Sequence, residues 1–264
     1  FFINAVMLRY MVFALATGAR AQVRCTLEGI GLDSYDFSRC DELRADGAKL
    51  GDEGARKLAS ALKSNGRLKL LDLWNSGIKS QGTVALALAL ESNQVLERLF
   101  LTENAIGAEG AAALATALRK NRRLTTLWVS RCSISDAGAL VLAEALGSGS
   151  STLQVLDAWD NGIGAVGGAA LAKALHRNRQ LRTLELRGNQ MGDAGAAAFA
   201  EAMPHNQALS TLDLLSNGIT SAGRESLRRG LQLSTANPYL VLFEDGMPHQ
   251  QRTSWEEKGK ANAP

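Results

Sequence analysis

Residues 96–123 read LERLFLTENAIGAEGAAALATALRKNRR, and variants of this 28-residue stretch recur along most of the chain. Its second glycine belongs to a series whose successive spacings are 28, 28, 28, 29, 28 and 28 residues. The series consists of Gly54, Gly82, Gly110, Gly138, Gly167, Gly195 and Gly223. A fixed period of this length indicates a repeat array, in which each unit packs only against its neighbours.

The second half of each unit is predicted to be a helix. Apolar residues lie four positions before the glycine and four and eight positions after it, as Ile106, Leu114 and Leu118 do around Gly110. That spacing places one apolar stripe on a helix. An asparagine follows most of these helices, and we expect it to end them because asparagine tolerates the left-handed backbone conformation. These asparagines are Asn65, Asn93, Asn121, Asn178 and Asn206.

The first half of each unit alternates apolar and polar residues, as in LERLFLTEN at 96–104 and LRTLELRGN at 181–189. This alternation predicts a strand, which needs its neighbours in a parallel sheet with helices behind it. We expect the last position of the motif to bond the backbone of adjacent turns. It holds Asn104, Asn161, Asn189 and Asn217, with Ser76 and Cys132 in two other units. Cys132 is therefore expected to be structural, because the motif supplies no histidine or acid to activate a thiol.

The pattern L-x-x-L-x-L-x-x-N/C, joined to a G-x-x-x-L-A-x-A-L helix, resembles the ribonuclease-inhibitor class of leucine-rich repeats over residues 43–244. The resemblance implies an α/β fold, a right-handed solenoid or horseshoe with parallel strands on the concave face and helices on the convex face. We expect residues 25–245 to form this solenoid, with about seven to eight units. The first and last units depart from the pattern, as terminal repeats do. The last unit is predicted to place Val241 beside Asp213 and Asp245 at the asparagine position.

Both ends of the chain lie outside this pattern. The segment 1–24 contains MLRYMVFALATGARA at 7–21, which has the basic start, apolar stretch and A-x-A ending of a cleaved signal peptide. An organelle-targeting remnant and an apolar cap over the first repeat stay open as alternatives. Arg9 interrupts the apolar run, so a membrane-spanning helix is not expected. Residues 246–264 are polar and are expected to be disordered.

The composition fits a thin, layered core. Hydrophobic residues make up 46% of the 264 residues but aromatic residues only 5%, since leucine and alanine carry most of the apolar share. The three cysteines, Cys25, Cys40 and Cys132, are odd in number and irregularly spaced, so no disulfide framework is expected.

The strand phase predicts which side chains point away from the core. Three of the four tryptophans fall on this concave face, and Phe100 lies between the first two. The aromatic residues either pack on one another across neighbouring strands or form a hot spot for a partner protein. We expect the second. The predicted partner-binding residues are Trp74, Phe100, Trp128, Trp159, Asp72, Asp157, Asp160, Glu185 and Arg187.

The same face is predicted to be acidic. By this register it carries eight acidic and four basic residues, Arg98 among them, a net charge of −4 against +3 for the whole chain. Such a face favours a basic partner and disfavours a phosphate backbone. We therefore expect a protein partner, with no nucleic acid and no membrane.

Motifs for catalysis are missing from the sequence. It contains no Walker loop, CxxC, HExxH or GxSxG, so we expect no enzymatic activity and no cofactor. Of the three histidines, His176 and His205 recur with the repeat period and His249 lies in the tail, so a metal site is not expected.

The expected function is that of a protein-binding module, an inhibitor, scaffold or sensor that acts as a monomer. The alternative is a GTPase-activating protein of the Ran type, which uses the same repeat class. That resemblance implies a long acidic stretch after the repeats, and here the tail has only Glu256 and Glu257. We expect a cytoplasmic location, or a secreted or organellar one if residues 7–21 are a cleaved signal.

Overall fold

The computed structural model of the protein describes residues 12–13, 22–27, 37–234 and 241–243. Within them, ten strands form one sheet that follows chain order. The strands are β1 (Val12–Phe13), β2 (Gln22–Thr26), β3 (Glu42–Arg44), β4 (Leu70–Asp72), β5 (Arg98–Phe100), β6 (Thr126–Trp128), β7 (Val155–Asp157), β8 (Thr183–Glu185), β9 (Thr211–Asp213) and β10 (Val241–Phe243). The helices are α1 (Gly51–Leu62), α2 (Ser80–Ser92), α3 (Gly107–Lys120), α4 (Ser135–Gly147), α5 (Ala165–Leu175), α6 (Gly192–Ala202) and α7 (Ser221–Leu233).

Strands β2 to β10 are parallel, and one α-helix follows each strand from β3 to β9. The middle residue of each strand from β3 to β9 is a leucine that is at most 1% exposed, such as Leu99 and Leu127. The helices contribute leucine and alanine to the same core, and consecutive helices pack on each other. The predicted fold, an α/β leucine-rich-repeat solenoid with an open parallel sheet, is confirmed.

The two ends of the sheet differ from the expected pattern. At the C-terminal end, Phe243 pairs with Asp213 and Val241 with Thr211, so the predicted position of Val241 is wrong by two residues. Short strands with alternating apolar residues allow both registers, and the pairing of Leu242 with Leu212 selects one of them. The expected tail, residues 246–264, lies outside the described residues.

At the N-terminal end of the sheet the strand direction changes once. Strand β1 pairs antiparallel with β2, and β2 pairs parallel with β3. Most of the segment predicted as a signal or cap lies outside the described residues. No helix in the described part of the chain is long and apolar enough to cross a membrane.

A disulfide joins β2 to the turn before β3, contrary to the expectation from the cysteine count. It links Cys25 and Cys40, whose Cα atoms are 5.9 Å apart and whose side chains are both buried. The third cysteine, Cys132, is free and buried, and desolvation raises the pKa of its thiol to about 12. The thiol of Cys132 donates a hydrogen bond to the carbonyl oxygen of Leu101, with Sγ 3.1 Å from that oxygen. This is the backbone bonding predicted for the last position of the strand motif.

A ladder of buried asparagines links the turns that follow the strands. The amide oxygen of Asn104 accepts hydrogen bonds from the backbone N–H groups of Ser76, at 3.2 Å, and Ile78, at 2.9 Å. Its amide nitrogen donates to the carbonyl of Leu73 at 2.8 Å, one unit earlier. The predicted role of this position in bonding adjacent turns is confirmed. The same bonding is repeated at Asn161, Asn189 and Asn217.

The asparagines after the helices form a second ladder rather than left-handed caps. Asn93 and Asn121 have extended backbones, with φ of −75° and −69°, so the predicted left-handed conformation is wrong. The amide nitrogen of Asn121 donates to the carbonyl of Leu90 at 2.7 Å, and its oxygen accepts from the N–H of Leu124 at 2.7 Å. Asparagine recurs at this position in most units because its side chain bonds two units at once.

The helices begin in two ways. In α1, α3, α4 and α6 the first helical residue has a positive φ, from 55° to 60°. In α2, α5 and α7 the preceding residue is extended, and an aspartate of the previous unit accepts from the N–H groups at the helix start. Asp136 caps α5 in this manner, with Oδ1 2.7 Å from the nitrogen of Gly164 and 2.8 Å from that of Gly167. Asp52 and Asp193 do the same for α2 and α7.

The cap across units makes Asp136 a stabilising residue. We expect Asp136→Ala to lower the free energy of unfolding by about 1–2 kcal/mol, because two N–H groups lose a charged acceptor. Urea unfolding followed by circular dichroism would measure the loss. The free energy of unfolding of Asp136→Asn should lie between those of the wild type and Asp136→Ala. The control is Glu109→Ala, whose carboxylate accepts from the Gln81 side chain and caps no helix. An equal loss in the control would contradict this role.

The disulfide predicts how the thiols react. Alkylation of the denatured, unreduced protein should modify Cys132 alone, and alkylation after reduction should modify all three cysteines. Mass spectrometry of the intact chain distinguishes the two products. Labelling of Cys25 or Cys40 without reductant would show that the bond is not formed in solution.

Candidate partner-binding face

The residues on either side of each buried strand leucine form the open side of the sheet, which we call the strand face. Parallel pairing sets these residues in rows that run across the strands. The central row is Arg44, Asp72, Phe100, Trp128, Asp157, Glu185 and Asp213. Trp74, Trp159 and Arg187 lie two residues beyond this row in their own units.

Two aromatic side chains of the central row stack on each other. Phe100 and Trp128 pair across β5 and β6, and their ring centroids are 4.1 Å apart with an angle of 16° between the planes. This contact is the cross-strand packing that the sequence left open as an alternative. Trp128 is nevertheless 38% exposed and Trp74 is 43% exposed. The aromatic residues therefore stiffen the sheet in part and still offer apolar surface.

The ring of Trp159 contacts the guanidinium group of Arg131 from the same chain. The guanidinium carbon of Arg131 lies 5.2 Å from the centroid of the Trp159 ring, within the range of a cation–π contact. Arg131 is also bonded to Glu103 at 2.7 Å and to Asp160 at 3.2 Å. Asp160, predicted as a partner-binding residue, thus already holds an arginine of its own chain.

Aspartates of the central row brace the backbone beside them. Asp72 accepts from the N–H of Trp74 at 3.1 Å, and Asp213 accepts from the N–H of Leu215 at 2.8 Å. Asp157 accepts from the hydroxyl of Ser130 and from the N–H of Trp159, the latter at 3.4 Å. These bonds position Trp74 and Trp159 as well as the carboxylates.

A depression of about 520 Å³ lies on the strand face between β6 and β9. Trp128 and Trp159 form its aromatic walls, and three carboxylates lie between neighbouring strands. We call it the strand-face pocket. Its lining residues are Trp128, Val155, Asp157, Trp159, Thr183, Glu185, Arg187 and Asp213.

Two carboxylates of the strand-face pocket, Glu185 and Asp157, have a pKa above that of exposed acids. Burial raises the pKa of Glu185 to about 8, and the neighbouring Asp213 and Asp157 add to the rise. Burial also raises the pKa of Asp157 to about 6, although hydrogen bonds from Ser130 and the Trp159 N–H oppose it. Near neutral pH the pocket therefore carries less negative charge than its residues suggest.

The predicted partner-binding residues fall into three groups. Trp128, Trp159, Asp157, Glu185 and Arg187 meet in the strand-face pocket. Phe100 stacks on its edge through Trp128, while Asp160 is engaged with Arg131. Trp74 and Asp72 lie on β4 and the turn after it, two strands away from Trp128.

Sequence reasoning missed part of this face. Val155 and Thr183 begin their strands, two residues before the central row, and alternation alone would have placed them on the strand face. Glu42 occupies the same row on β3, where it is buried and paired with Arg24 at 3.1 Å and Arg98 at 3.2 Å. Arg98, a basic residue of the predicted open face, therefore shares the buried carboxylate of Glu42 with Arg24.

The two central histidines lie on the helix side of the molecule. The rings of His176 and His205 stack with their centroids 5.0 Å apart, at ends of successive units as the period predicts. In the described part of the chain, no group of three or more histidine, cysteine, aspartate or glutamate side chains could hold a metal ion. His249 lies outside the described residues.

The comparison with protein-family models agrees with the repeat architecture. Residues 92–115, 120–143, 177–200 and 205–227 match the family model for a leucine-rich repeat. The chain is similar to a solved structure described as "Leiomodin-1 Actin-Binding Site 2 (ABS2)", at 18% sequence identity and a TM-score of 0.39, covering 84% of this chain and 89% of that chain. At these values the similarity carries no argument about function. The comparison with curated proteins found no match. The ribonuclease-inhibitor subtype stays a prediction.

The raised pKa of Glu185 predicts a dependence of stability on pH. An unfolded glutamate titrates at about 4.3, so the folded protein binds more protons than the unfolded one between that pH and about 8. The free energy of unfolding should therefore fall as the pH rises through this range. In Glu185→Gln the contribution of Glu185 to this fall of the free energy of unfolding with pH should disappear. Urea unfolding at a series of pH values measures it, with Glu109→Gln on an exposed helix surface as the control. An unchanged slope in Glu185→Gln would contradict the assignment.

Proposed function

We propose that this leucine-rich-repeat protein is a protein-binding module that holds a partner protein on its strand face. The observation that supports the proposal best is the exposure of Trp74 and Trp128 on the open side of the sheet. Large aromatic side chains that stay exposed on a rigid surface are typical hot spots of protein interfaces. The stack with Phe100 holds the ring of Trp128, and Asp72 accepts a hydrogen bond from the backbone N–H of Trp74, so less entropy is lost on binding.

The charges of the strand face favour a basic partner. Asp157, Glu185 and Asp213 lie on three adjacent strands and line the strand-face pocket. Among the residues that line this pocket, Arg187 is the one basic residue. Acidic surfaces attract basic proteins and repel phosphate backbones. We propose a monomeric inhibitor, scaffold or sensor without cofactor or enzymatic activity. No feature of the described residues favours the GTPase-activating alternative.

The disulfide between Cys25 and Cys40 indicates the kind of cellular compartment in which the protein folds. Bonds such as Cys25–Cys40 form and persist in oxidising surroundings and are rare in the cytosol. Of the two locations inferred from the sequence, this favours the secreted or organellar one over the cytoplasmic one.

The proposed function predicts that partner capture depends on the tryptophans. We compare wild-type protein with Trp74→Ala/Trp128→Ala/Trp159→Ala as baits in a lysate of the source cells. The variant should lose a partner that the wild type retains, because each hot-spot tryptophan contributes about 2 kcal/mol or more to binding. Quantitative mass spectrometry of the eluates measures the loss.

The matched control removes three exposed apolar side chains from the helix side, in Leu88→Ala/Leu140→Ala/Val166→Ala. It should retain the partner at the wild-type level. Both variants are first compared with the wild type by circular dichroism and thermal unfolding, so that equal amounts of folded bait are used. Retention by the tryptophan variant together with loss by the control would move the binding site to the helices and overturn the proposal.

A further inference from the structure

We propose that the strand-face pocket receives an arginine side chain of the partner, with the guanidinium between the two tryptophan walls and its hydrogen bonds directed to the carboxylates. This inference rests on the proposed protein-binding function and specifies what the partner presents to the strand face. Four observations support it, and they concern shape, charge, a contact inside the chain itself and protonation.

The shape of the pocket suits a long side chain with a flat, charged end. Its volume of about 520 Å³ is within the range of about 300–1,000 Å³ that is usual for ligand pockets. Trp128 and Trp159 line the pocket and offer aromatic surface to a planar cation beside the contacts that they already make with Phe100 and Arg131. Val155 and Thr183 offer contacts for methylene groups. Guanidinium groups stack on aromatic rings more readily than ammonium groups do.

The charges of the pocket are complementary to a cation. Asp157 and Asp213 flank Glu185 on the two neighbouring strands, so three carboxylates converge on a small area. Arg187 is the single basic residue among the lining residues and is itself exposed. With all three acids ionised the pocket has a net charge of −2, which one further guanidinium would reduce by half.

The chain already binds a guanidinium by the same chemistry beside the pocket. Arg131 lies over the ring of Trp159 and is bonded to Glu103 and Asp160, one carboxylate on each side in sequence. That contact combines a tryptophan ring with two acids. The strand-face pocket repeats the combination with a second tryptophan and three acids, and its opening faces solvent.

Protonation makes the proposed contact dependent on pH. In the free protein, burial and mutual repulsion keep a proton on Glu185 up to a pH of about 8 and on Asp157 up to about 6. A guanidinium favours the ionised carboxylates, so its binding releases protons, and binding weakens as the pH falls through this range. The charged groups that face Glu185 are Asp157 on β7, Asp213 on β9 and Arg187 in the turn after β8.

The test uses a defined probe, acetyl-Gly-Arg-Gly-amide, and a peptide in which citrulline replaces arginine. Citrulline keeps the planar end but has no charge. Binding is followed in nuclear magnetic resonance titrations through the indole N–H signals of Trp128 and Trp159, assigned with single Trp→Phe variants. We expect the arginine peptide to shift both signals in a saturable manner at pH 8.5. At pH 6 its affinity should be about tenfold or more lower, because at least one proton must be displaced.

Two variants separate the recognition of charge from the general integrity of the fold. Glu185→Gln should weaken binding of the arginine peptide at pH 8.5 and reduce its pH dependence. Arg187→Gln should strengthen binding, because it removes the competing cation from an exposed position. A residue with a purely structural role would not produce these opposite effects.

The outcomes distinguish this inference from the function on which it rests. Equal binding of the citrulline peptide, or no saturable shift with the arginine peptide, would overturn the arginine site. If the tryptophan variant still loses its natural partner, the proposed function stands without that site. If arginine binding shows the expected pH dependence and variant effects, the site is supported, whether or not the lysate contains the partner.

Discussion

Buried asparagine amides hold the units of this solenoid together. Each turn between a strand and a helix leaves backbone N–H and carbonyl groups without partners, and these groups cannot be left unbonded in the core. An asparagine such as Asn104 or Asn121 satisfies them from one side chain that both donates and accepts. Because the bonds connect one unit to the next, the ladders set the spacing of the strands and helices alike.

This arrangement leaves the strand face and the outer sides of the helices available to a ligand. The leucine side of the sheet and the inner sides of the helices are buried in the core. The backbone groups of the turns are bonded to the asparagine ladders. The strand face is left with side chains that serve two purposes. Asp157 braces the N–H of Trp159 and also lines the strand-face pocket, and Trp128 packs on Phe100 and also forms a wall. Rigid placement of such groups is what recognition of a partner requires.

The sequence predicted the architecture well because every unit repeats the same physical requirements. Seven glycines in register and the leucines around them predict helices, strands and the residues that face outwards. What depends on contacts between units was harder to infer. Within a single unit the only role for the asparagines after the helices is that of a cap, whereas their bonds reach the unit before. Asp136 gives no signal in the sequence because it caps a helix that begins about one unit later. The Cys25–Cys40 bond and the register of β10 arise at the edges, where the period no longer constrains the chain.

The aspartate caps also restrict how an array of this kind can change its length. Helices α2, α5 and α7 begin with extended residues and draw their caps from the unit before them, whereas α1, α4 and α6 supply those caps and begin on their own. Removing one unit from such a pair would leave a helix start without its acceptor or an aspartate without its helix. Gene duplication or engineering can therefore add or delete these six units with least damage as whole pairs, whereas α3 begins on its own and belongs to no such pair.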